Sequence, residues 1–415
     1  MKLNLTVQPR FRLNFSPLVW VLLTLMGIGF VVAMIRFTVG IGAISDLSNS
    51  YPWGFWISFD LFTGVAISSG GFIMAGLVYM LGFKEFRPLL RPSVLTAFLG
   101  YLMVAVALLV DLGHPERIWY MMVHWNHTSV LLEIGICVMS YLTVLAIEFS
   151  PVALEGFKLQ KAAHFIHRFI MPFVILGVVL STLHQSSLGS LLLIQPTKLH
   201  PLWWTPILPV MFFSSALSIG LGMIIFESSL SSRYFQRGLE THLLAKLAKA
   251  IPYVLGVYAL LKFGELAVAG ELGLLFTSGS MSVLFWAEIL LGIVTPILWF
   301  STPKNRTTPN GLLIGAIILL LGMILNRFNV SWFAVTHPDS LFYVPTFMSN
   351  VRYLPTLPEI SVSLGIFSAG ILVFGLIAKY LPLFESEHES EHEHAPDEGH
   401  PAFQNLPATS PSAAD

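Results

Sequence analysis

One stretch of the sequence decides the fold, FIHRFIMPFVILGVVLSTLHQSS, which runs from Phe165 to Ser187. Almost every residue between Phe165 and Leu183 is apolar, and roughly 20 such residues let a helix cross a bilayer. The run then ends in titratable and hydroxyl-bearing residues, of which His184 is the first. We therefore predict a membrane helix over Phe165–His184, with His184 at membrane depth or just above it.

Two interpretations of His184 are open at this point. A histidine followed by Gln185 and two serines can clamp the headgroup of a lipid-soluble redox carrier at the edge of a membrane bundle. The same side chain can instead cap the end of its own helix and bind nothing. The spacing of the residues does not decide between them.

Composition places the chain in a membrane. It has 415 residues, of which 55% are hydrophobic and 11% are charged, whereas about 25% of the residues in a soluble domain are charged. The net charge of -1 leaves no basic surface of the kind that nucleic acid requires. We expect the lipid bilayer, and no nucleic acid, among the partners.

A single cysteine, Cys137, lies inside an apolar run. One cysteine supports neither a disulfide framework nor a cysteine-ligated iron–sulfur cluster. We therefore predict that the chain itself holds no metal. If the protein moves electrons, the metal centres belong to partner subunits.

Ten apolar segments reach the length of a membrane span, so we predict an all-α membrane protein with ten transmembrane helices. The segments are Leu18–Thr38, Gly54–Met80, Val94–Leu112, Val130–Phe149, Phe165–His184, Ile207–Ser228, Ile251–Ala269, Val283–Phe300, Leu312–Arg327 and Ile360–Leu381. Residues 1–17 form an N-terminal extension and residues 18–383 the membrane domain. The acidic, histidine-rich residues 384–415 form a tail that its composition predicts to be disordered.

Lysine and arginine are distributed unequally between the connections. With both termini on one side, sixteen of them fall on that side and five on the other, and positive residues concentrate on the cytoplasmic side. Both termini are therefore predicted to be cytoplasmic, in a bacterial inner membrane. Seven tryptophans fall on the outer side, namely Trp53, Trp56, Trp119, Trp125, Trp203, Trp204 and Trp332.

Charged residues inside the spans are functional candidates, because each is costly to bury unless it is paired or hydrated. Lys262 and Glu265 are three residues apart on one helix face, so we expect them to form a structural ion pair. Glu133 and Glu148 are 15 residues apart on another helix, about 22 Å along its axis. One acid near each membrane face favours a proton relay.

A short internal sequence repeat divides the spans into two groups. Asp111-Leu-Gly113 and Glu133 in the first half match Glu271-Leu-Gly273 and Glu288 in the second half. The repeat predicts two four-helix bundles, formed by spans 2–5 and 6–9. One flanking helix is then left at each end of the chain.

Several ordered motifs resemble the polysulfide reductase (NrfD/PsrC) family of integral membrane subunits. They are Pro52-Trp-Gly-Phe-Trp-Ile-Ser-Phe-Asp60, Asp111-Leu-Gly-His-Pro-Glu-Arg117, His184-Gln-Ser-Ser-Leu-Gly-Ser190, His200-Pro-Leu-Trp203, Phe226-Glu-Ser-Ser-Leu230 and Lys262-Phe-Gly-Glu-Leu266. The resemblance is greatest to the ten-helix branch with the membrane subunit (HybB) of hydrogenase-2-type nickel–iron hydrogenases. The family often has arginine where this chain has His114, so a role tied to that arginine is not carried over.

The resemblance implies a haem-free, quinone-reactive subunit of a respiratory complex, with menaquinone or ubiquinone as its substrate. The implied partners are a periplasmic four-cluster ferredoxin-like iron–sulfur subunit and a nickel–iron hydrogenase or other catalytic subunit. Proton translocation is a further possibility. Two alternatives stay open. One is a proton-coupled secondary transporter or channel, which discontinuous helices would favour, although the sequence shows no convincing ones. The other is a passive anchor.

The predicted depth of each polar residue in the bilayer assigns it either to the quinone site or to a proton relay. The expected catalytic residues at the quinone are Asp60, Asp111, Glu133 and His184, and further headgroup contacts are His114 and Gln185. The expected proton relay consists of Glu148, His167, Arg168, Glu227 and Glu265. Contact with the iron–sulfur partner is expected from Trp53, Trp56, Trp203 and Trp204.

We predict that the isolated subunit contains no haem b. Bis-histidine ligation needs two histidines that face each other at similar depth, and the sequence offers no such pair in mid-bilayer. The purified subunit should therefore lack the Soret and alpha bands of a b-type haem in a reduced-minus-oxidised spectrum. Bands that remain with the isolated subunit would contradict the prediction.

Overall fold

The apolar runs fold into helices because a helix satisfies its backbone polar groups within its own segment, as a bilayer requires. The computed structural model describes residues 16–48, 51, 53–194, 199–335 and 353–384. These described residues contain ten helices long and apolar enough to cross a membrane. They are α1 Pro17–Val39, α2 Trp56–Met80, α3 Lys84–Asp111, α4 Val130–Gly156, α5 Ile170–Leu193, α6 Leu208–Phe235, α7 Thr241–Ala269, α8 Ser280–Ser301, α9 Pro309–Phe333 and α10 Leu357–Tyr380. Most of the N-terminal extension and of the acidic tail lies outside the described residues.

All ten predicted spans are confirmed, and α5 differs from its predicted limits at both ends. It begins only at Ile170 and continues past His184 to Leu193. The residues before it form a separate helix, Gln160–Arg168. That segment mixes basic and apolar residues, which favours a helix lying in the membrane interface over one that crosses the bilayer. The predicted start of this span at Phe165 is therefore wrong.

Helix contacts define two four-helix bundles. In the first bundle α2 contacts α3, α3 contacts α4, α4 contacts α5, and α5 contacts α2. In the second bundle α6 contacts α7, α7 contacts α8, α8 contacts α9, and α9 contacts α6. The bundles meet where α6 packs against α2, α3 and α5, while α1 and α10 pack together beside α3. The predicted division into spans 2–5, spans 6–9 and two flanking helices is confirmed.

Successive helices run in opposite directions, so their ends form two layers. We call the layer in which α1, α3, α5, α7 and α9 end the A end, and the opposite layer the B end. The A end corresponds to the side that the count of lysine and arginine predicts to be outside the cytoplasm.

Helix α2 is interrupted, whereas the sequence shows no convincing sign of a discontinuous helix. Its outer turns, Trp56–Thr63 and Gly76–Met80, are π-helical, and a turn at Ser68–Ser69 divides its middle. At this turn the Ser69 amide donates to Ala66 O at 3.2 Å, and the Gly71 amide donates to Ser68 O at 3.4 Å. In a regular α-helix these two amides would bond to the carbonyls four residues earlier, those of Val65 and Ile67. Both carbonyls are therefore left outside the regular ladder of helix hydrogen bonds.

The contact between α1 and α10 depends on a pair of glycines. A Cβ atom on Gly29 would lie 2.8 Å from the Cα atom of Gly365, closer than packed carbon atoms approach. We expect Gly29→Val to push the helices apart and to lower the free energy of unfolding by about 1–3 kcal/mol, the usual cost of overpacking. Thermal unfolding of the purified protein measures this change.

Gly27→Val is the matched control on the same helix. No atom lies within 4 Å of a Cβ atom added at Gly27, so this variant should unfold like the parent protein. Equal losses in both variants would show that the glycine contact is not the cause.

Candidate functional site

His184 lies deep in the membrane domain. It precedes the end of α5 at Leu193 by nine residues, about 14 Å along the helix, and its side chain is 0% exposed. The polar residues after it stay helical because their hydroxyls bond to carbonyls of the same helix; Ser187, for example, donates to Leu183 O at 2.8 Å. Hydroxyls satisfied in this way can remain at membrane depth. The predicted end of this span at His184 is therefore wrong, because the histidine lies within the helix and not at its end.

Four buried side chains, those of His184, Gln185, Tyr101 and Tyr141, form what we call the histidine cluster. His184 Nδ1 lies 3.1 Å from the Tyr101 hydroxyl, and the Tyr101 ring packs edge-on against that of Tyr141, with centroids 4.6 Å apart. Among the described residues, His184 Nε2, Gln185 Oε1 and the Tyr141 hydroxyl have no hydrogen-bond partner. Such atoms can exchange protons or bind bridging water, but their burial keeps them out of contact with lipid.

The interrupted helix α2 supplies the acceptor for Gln185. The Nε2 atom of Gln185 donates to Val65 O at 3.0 Å, the carbonyl that the turn at Ser68–Ser69 leaves outside the helix ladder. A buried carbonyl needs a donor, and a buried amide needs an acceptor. The Val65 carbonyl and the Gln185 side-chain amide therefore satisfy each other's need for a hydrogen-bond partner.

Glu133 lies in the first turn of α4, at the A end. Its Oε1 atom lies within hydrogen-bond distance of Ser187 Oγ of α5, whose single proton is shared between Glu133 and Leu183 O. The free amides of a first turn also stabilise a carboxylate there. Because Ser187 is three residues beyond His184, Glu133 contacts α5 about 5 Å nearer the A end than the histidine.

Asp60 and Asp111 lie toward the flanking helices. Asp60 Oδ2 accepts a hydrogen bond from Ser363 Oγ of α10 at 2.6 Å. Asp111 is the last residue of α3, and its Oδ1 atom has no hydrogen-bond partner among the described residues. The two carboxyl groups are close enough to interact electrostatically.

Arg36 of α1 is buried beside this acid pair. It is 3% exposed and donates to Val110 O at 2.5 Å and to Leu112 O. These carbonyls belong to the end of α3, where a cation is favoured by the helix dipole. Arg36 therefore both caps α3 and offsets the charge of Asp111.

Glu359 in the first turn of α10 is the third acid at this position. It is 1% exposed, forms a capping box with Thr356, and accepts from the Tyr353 hydroxyl at 3.1 Å. Burial raises the pKa of Tyr353 above its ordinary value, so this hydroxyl keeps its proton and stays a donor. We call the residues Asp60, Asp111, Glu359 and Arg36 the acidic cluster.

The predicted quinone-site residues thus fall into separate groups. Those in the acidic cluster are Asp60 and Asp111, and those on the α4–α5 side of the first bundle are Glu133, His184 and Gln185. His114 joins neither group, because it lies in the loop after α3 with a side chain that is 69% exposed.

The five predicted relay residues are spread over the membrane domain. Glu148 borders the histidine cluster, because a Cβ atom on Gly177 of α5 would meet Glu148 Oε1 at 2.8 Å and the Tyr141 ring at 3.6 Å. The exposed helix Gln160–Arg168 carries His167 and Arg168. Two further clefts are lined by Glu227, between the bundles, and by Glu265, in the second bundle.

The expected ion pair of Lys262 with Glu265 is wrong. Lys262 Nζ instead donates to Glu288 Oε1 of α8. The Glu288 carboxylate has three further donors, which are Trp203 Nε1 at 2.7 Å, Asn326 Nδ2 at 2.7 Å and Asn329 Nδ2 at 2.8 Å. Spacing along one helix reveals neighbours on that helix only, so the sequence does not identify a partner on α8.

Two of the tryptophans expected at a partner surface are buried within the chain. Trp56 is 2% exposed and Trp203 is 4% exposed, so the expected docking role is wrong for both. An exposed aromatic surface at the A end is formed instead by the loop between α3 and α4. There Trp119 is 54% exposed and Trp125 is 60% exposed.

Sequence reasoning missed Tyr101, Tyr141, Arg36 and Glu359. The two charged residues fall near the ends of apolar runs, where a charge is typical of a connecting loop. A charge inside a span is nevertheless a signal of a functional or paired group, and it could have identified Arg36. The tyrosines carry no comparable signal, because their role depends on partners from other helices.

Buried acids, a buried histidine and a saturated ion pair within two helical bundles define an integral membrane protein with polar sites at membrane depth. Such sites handle protons, ions or polar headgroups. The chain belongs to the polysulphide reductase NrfD family, whose model matches residues 43–335.

Relatives match most of the chain. A protein of Nitratidesulfovibrio vulgaris is 39% identical over 364 residues, which cover 86% of this chain and 91% of the relative. The probable Ni/Fe-hydrogenase 2 b-type cytochrome subunit of Escherichia coli is 31% identical over 366 residues, covering 86% and 90%. The menaquinone reductase integral membrane subunit of Nitratidesulfovibrio vulgaris is 30% identical over 375 residues, covering 84% and 87%.

We expect Trp203→Phe to destabilise the second bundle. The substitution keeps an aromatic ring but removes the Nε1 hydrogen bond to Glu288, and a hydrogen bond to a charged group contributes about 1.5–3 kcal/mol. Thermal unfolding of the purified protein measures the loss. Trp204→Phe is the control, since Trp204 Nε1 has no partner among the described residues. A Trp203→Phe variant as stable as this control would contradict the expectation.

Proposed function

We propose that this chain is the quinone-reactive membrane subunit of a respiratory oxidoreductase complex. Support comes from its family and from the names of two relatives, a menaquinone reductase subunit and a hydrogenase subunit. The observation that carries the proposal is the acidic cluster, in which Asp60 and Asp111 come together on neighbouring helices near the A end. We assign the quinone headgroup to this cluster.

The chemistry of the headgroup explains why paired acids are useful. Reduction of a quinone to a quinol adds two electrons from the partner and one proton to each ring oxygen. Carboxyl groups held near those oxygens can deliver the protons. Ser363 orients Asp60, while Asp111 Oδ1, which has no hydrogen-bond partner among the described residues, can bond the headgroup. Arg36 stabilises the negative charge that the headgroup gains before it is protonated.

The electrons are proposed to enter at the A end. Asp60 follows the first residue of α2 by four positions, which is about 6 Å along the helix. A partner docked on the exposed aromatic loop between α3 and α4 would bring its metal centres close to this depth. We propose a four-cluster ferredoxin-like iron–sulfur subunit as that partner, with a nickel–iron hydrogenase as the donor behind it.

The protons are proposed to come from the B end through the first bundle. Glu148 and the histidine cluster bring buried polar groups of α3, α4 and α5 close together, and a proton relay through them requires water in the gaps. We propose that the B end faces the cytoplasm of a bacterium and that both termini lie there. Carrying a proton across the bilayer then couples the reaction to the membrane potential, at roughly 2.3 kcal/mol per charge per 100 mV.

We propose that the chain carries out this reaction without haem, although the Escherichia coli relative is named a b-type cytochrome subunit. Among the described residues, the histidines with buried side chains are His184 and His200. His184 lies inside the first bundle, whereas the His200 amide bonds to Ala334 O, next to the end of α9 in the second bundle. Two ligands of one haem iron must face each other across the metal, and these two histidines belong to different bundles.

The turn in α2 favours a second candidate function, coupled ion transport. Transporters commonly bind their ions where a helix is interrupted at mid-membrane, between two structural repeats. A transporter would move ions without reducing quinone. Quinone reduction by the purified complex therefore separates the two functions.

We expect Asp60→Asn and Asp111→Asn each to lower quinone reduction by about 100-fold or more, as loss of a general acid commonly does. Both variants should still assemble with their partners, because neither carboxylate pairs with a residue outside the membrane domain. Quinol formation by the purified complex, driven by its natural donor or by a dye, measures the effect.

Glu85→Gln is the control for these variants. Glu85 lies at the B end of α3, where it pairs with Lys246 and its side chain is 44% exposed. Normal turnover in Glu85→Gln together with a large loss in both aspartate variants supports the assignment. Normal turnover in both aspartate variants would exclude the acidic cluster as the headgroup site.

A further inference from the structure

A basic helix with one apolar face lies at the B end of the first bundle. It spans Gln160–Arg168 and connects the end of α4 at Gly156 to the start of α5 at Ile170. Its nine residues are too few to cross the hydrocarbon core. Because the helix packs against α4, it stays at the edge of the membrane domain, and we call it the interfacial helix.

Three faces of the interfacial helix differ in character. Ala163 is 2% exposed and faces the bundle. Lys161, His164 and Arg168 are all exposed and occur at positions i, i+3 and i+7, so they form one basic stripe along the helix. Beside this stripe, Phe165 and Phe169 are 65% and 49% exposed, and their ring centroids are 5.2 Å apart.

The basic stripe has no acidic partner among the described residues. Each acid on the described B-end surface is paired with a base elsewhere: Glu85 with Lys246, Glu155 with Arg91, and Glu240 with Arg237. Glu155 also lies 3.4 Å from His167 Nε2, next to the stripe but outside it.

The positive charge of this region is therefore in excess. In the described part of the chain, the side chains of Lys161 and Arg168 form neither a hydrogen bond nor an ion pair. Lys158, in the turn just before the helix, is exposed and equally unpaired. An anion that approaches the stripe would thus meet three cationic side chains without displacing any existing partner.

We propose that the basic stripe binds the phosphate of an anionic phospholipid, whose acyl chains cover Phe165 and Phe169. Lysine and arginine bind phosphate through charge-assisted hydrogen bonds. A helix with a basic face and an adjacent aromatic face lies in the plane of the membrane interface, with its apolar side chains in the acyl boundary. A soluble anion would match the charge but would leave both phenylalanine rings in water, so the arrangement favours a lipid.

Lipid binding can be measured without any quinone reaction, so its test is independent of the proposed function. The full-length protein is purified in an uncharged detergent, and its unfolding temperature is followed as phosphatidylglycerol is added at constant ionic strength. A ligand that binds the folded state raises this temperature in a saturable way. We expect such a rise with phosphatidylglycerol, a much smaller one with phosphatidylcholine of the same acyl chains, and none with inorganic phosphate.

Variants test whether the rise originates at the stripe. The double variant Lys161→Gln/Arg168→Gln should weaken the apparent affinity for phosphatidylglycerol by about 30-fold, because each basic residue near an anionic lipid surface contributes about fivefold. Phe165→Ala should weaken the binding of both lipids to a similar extent, since this ring contacts acyl chains and not the headgroup.

Lys84→Gln/Lys304→Gln is the matched control. Both lysines are exposed at the B end, and their side chains have no partner among the described residues. The control removes the same net charge as the stripe variant but leaves the stripe intact. Its affinity for phosphatidylglycerol should stay within about twofold of that of the parent protein, a difference of roughly 0.4 kcal/mol.

Four results would overturn the proposal. The first is an equal response to phosphatidylglycerol and phosphatidylcholine, and the second is an equal response to inorganic phosphate. The third is a stripe variant that binds as tightly as its control, which would indicate a general attraction to the basic side of the protein. The fourth is a response that appears only after the acidic residues 385–415 are removed, which would make the chain's own tail the occupant.

The two proposals of the chain's function and of its lipid site can fail separately. A protein that binds phosphatidylglycerol at the stripe but reduces no quinone would reject the proposed function and leave the lipid site intact.

Discussion

The hydrocarbon core of a bilayer offers no water, so every polar group carried into it must find its partner within the protein. Glu288 meets this constraint completely, because Lys262, Trp203 and two asparagines all donate hydrogen bonds to its carboxylate. Trp203 belongs to the A-end connection between α5 and α6, so this one carboxylate joins that connection to α7, α8 and α9. A group saturated by nitrogen donors is poorly suited to passing protons, and Glu288 is therefore best understood as a structural support.

Other buried groups are incompletely satisfied, and they occur in both bundles. His184 Nε2 and Asp111 Oδ1 of the first bundle, and Asn329 Oδ1 and both oxygens of Glu227 of the second, lack hydrogen-bond partners among the described residues. Unpaired polar atoms at membrane depth persist when a proton, an ion or a substrate completes them. The saturated carboxylate of Glu288 is therefore a structural support, whereas the unpaired carboxyl groups are the candidates for chemistry.

The sequence predicted the ten spans because length and apolarity determine whether a helix can cross the bilayer, and the internal match between the two halves predicted the bundles. It failed at polar residues inside the spans. The predicted end of the fifth span at His184 was wrong because the polar residues after it remain helical as far as Leu193, and the pairing of Lys262 was wrong because Glu288 lies across the bundle. Asp60 and Asp111 were identified as candidates by their charge. Arg36 and Glu359 could not be assigned to the same cluster from the sequence, because the packing of α1 and α10 is what brings them beside the aspartates.

The histidine cluster depends on one irregular feature of the backbone. The turn at Ser68–Ser69 deprives the Val65 carbonyl of α2 of the amide that a regular helix would provide, and this carbonyl accepts from Gln185 instead. A regular helix in this position would engage the carbonyl internally and would leave the buried amide of Gln185 without an acceptor. The irregular backbone of α2 and the side chain next to His184 are therefore matched, and the turn holds Gln185 in place beside the histidine.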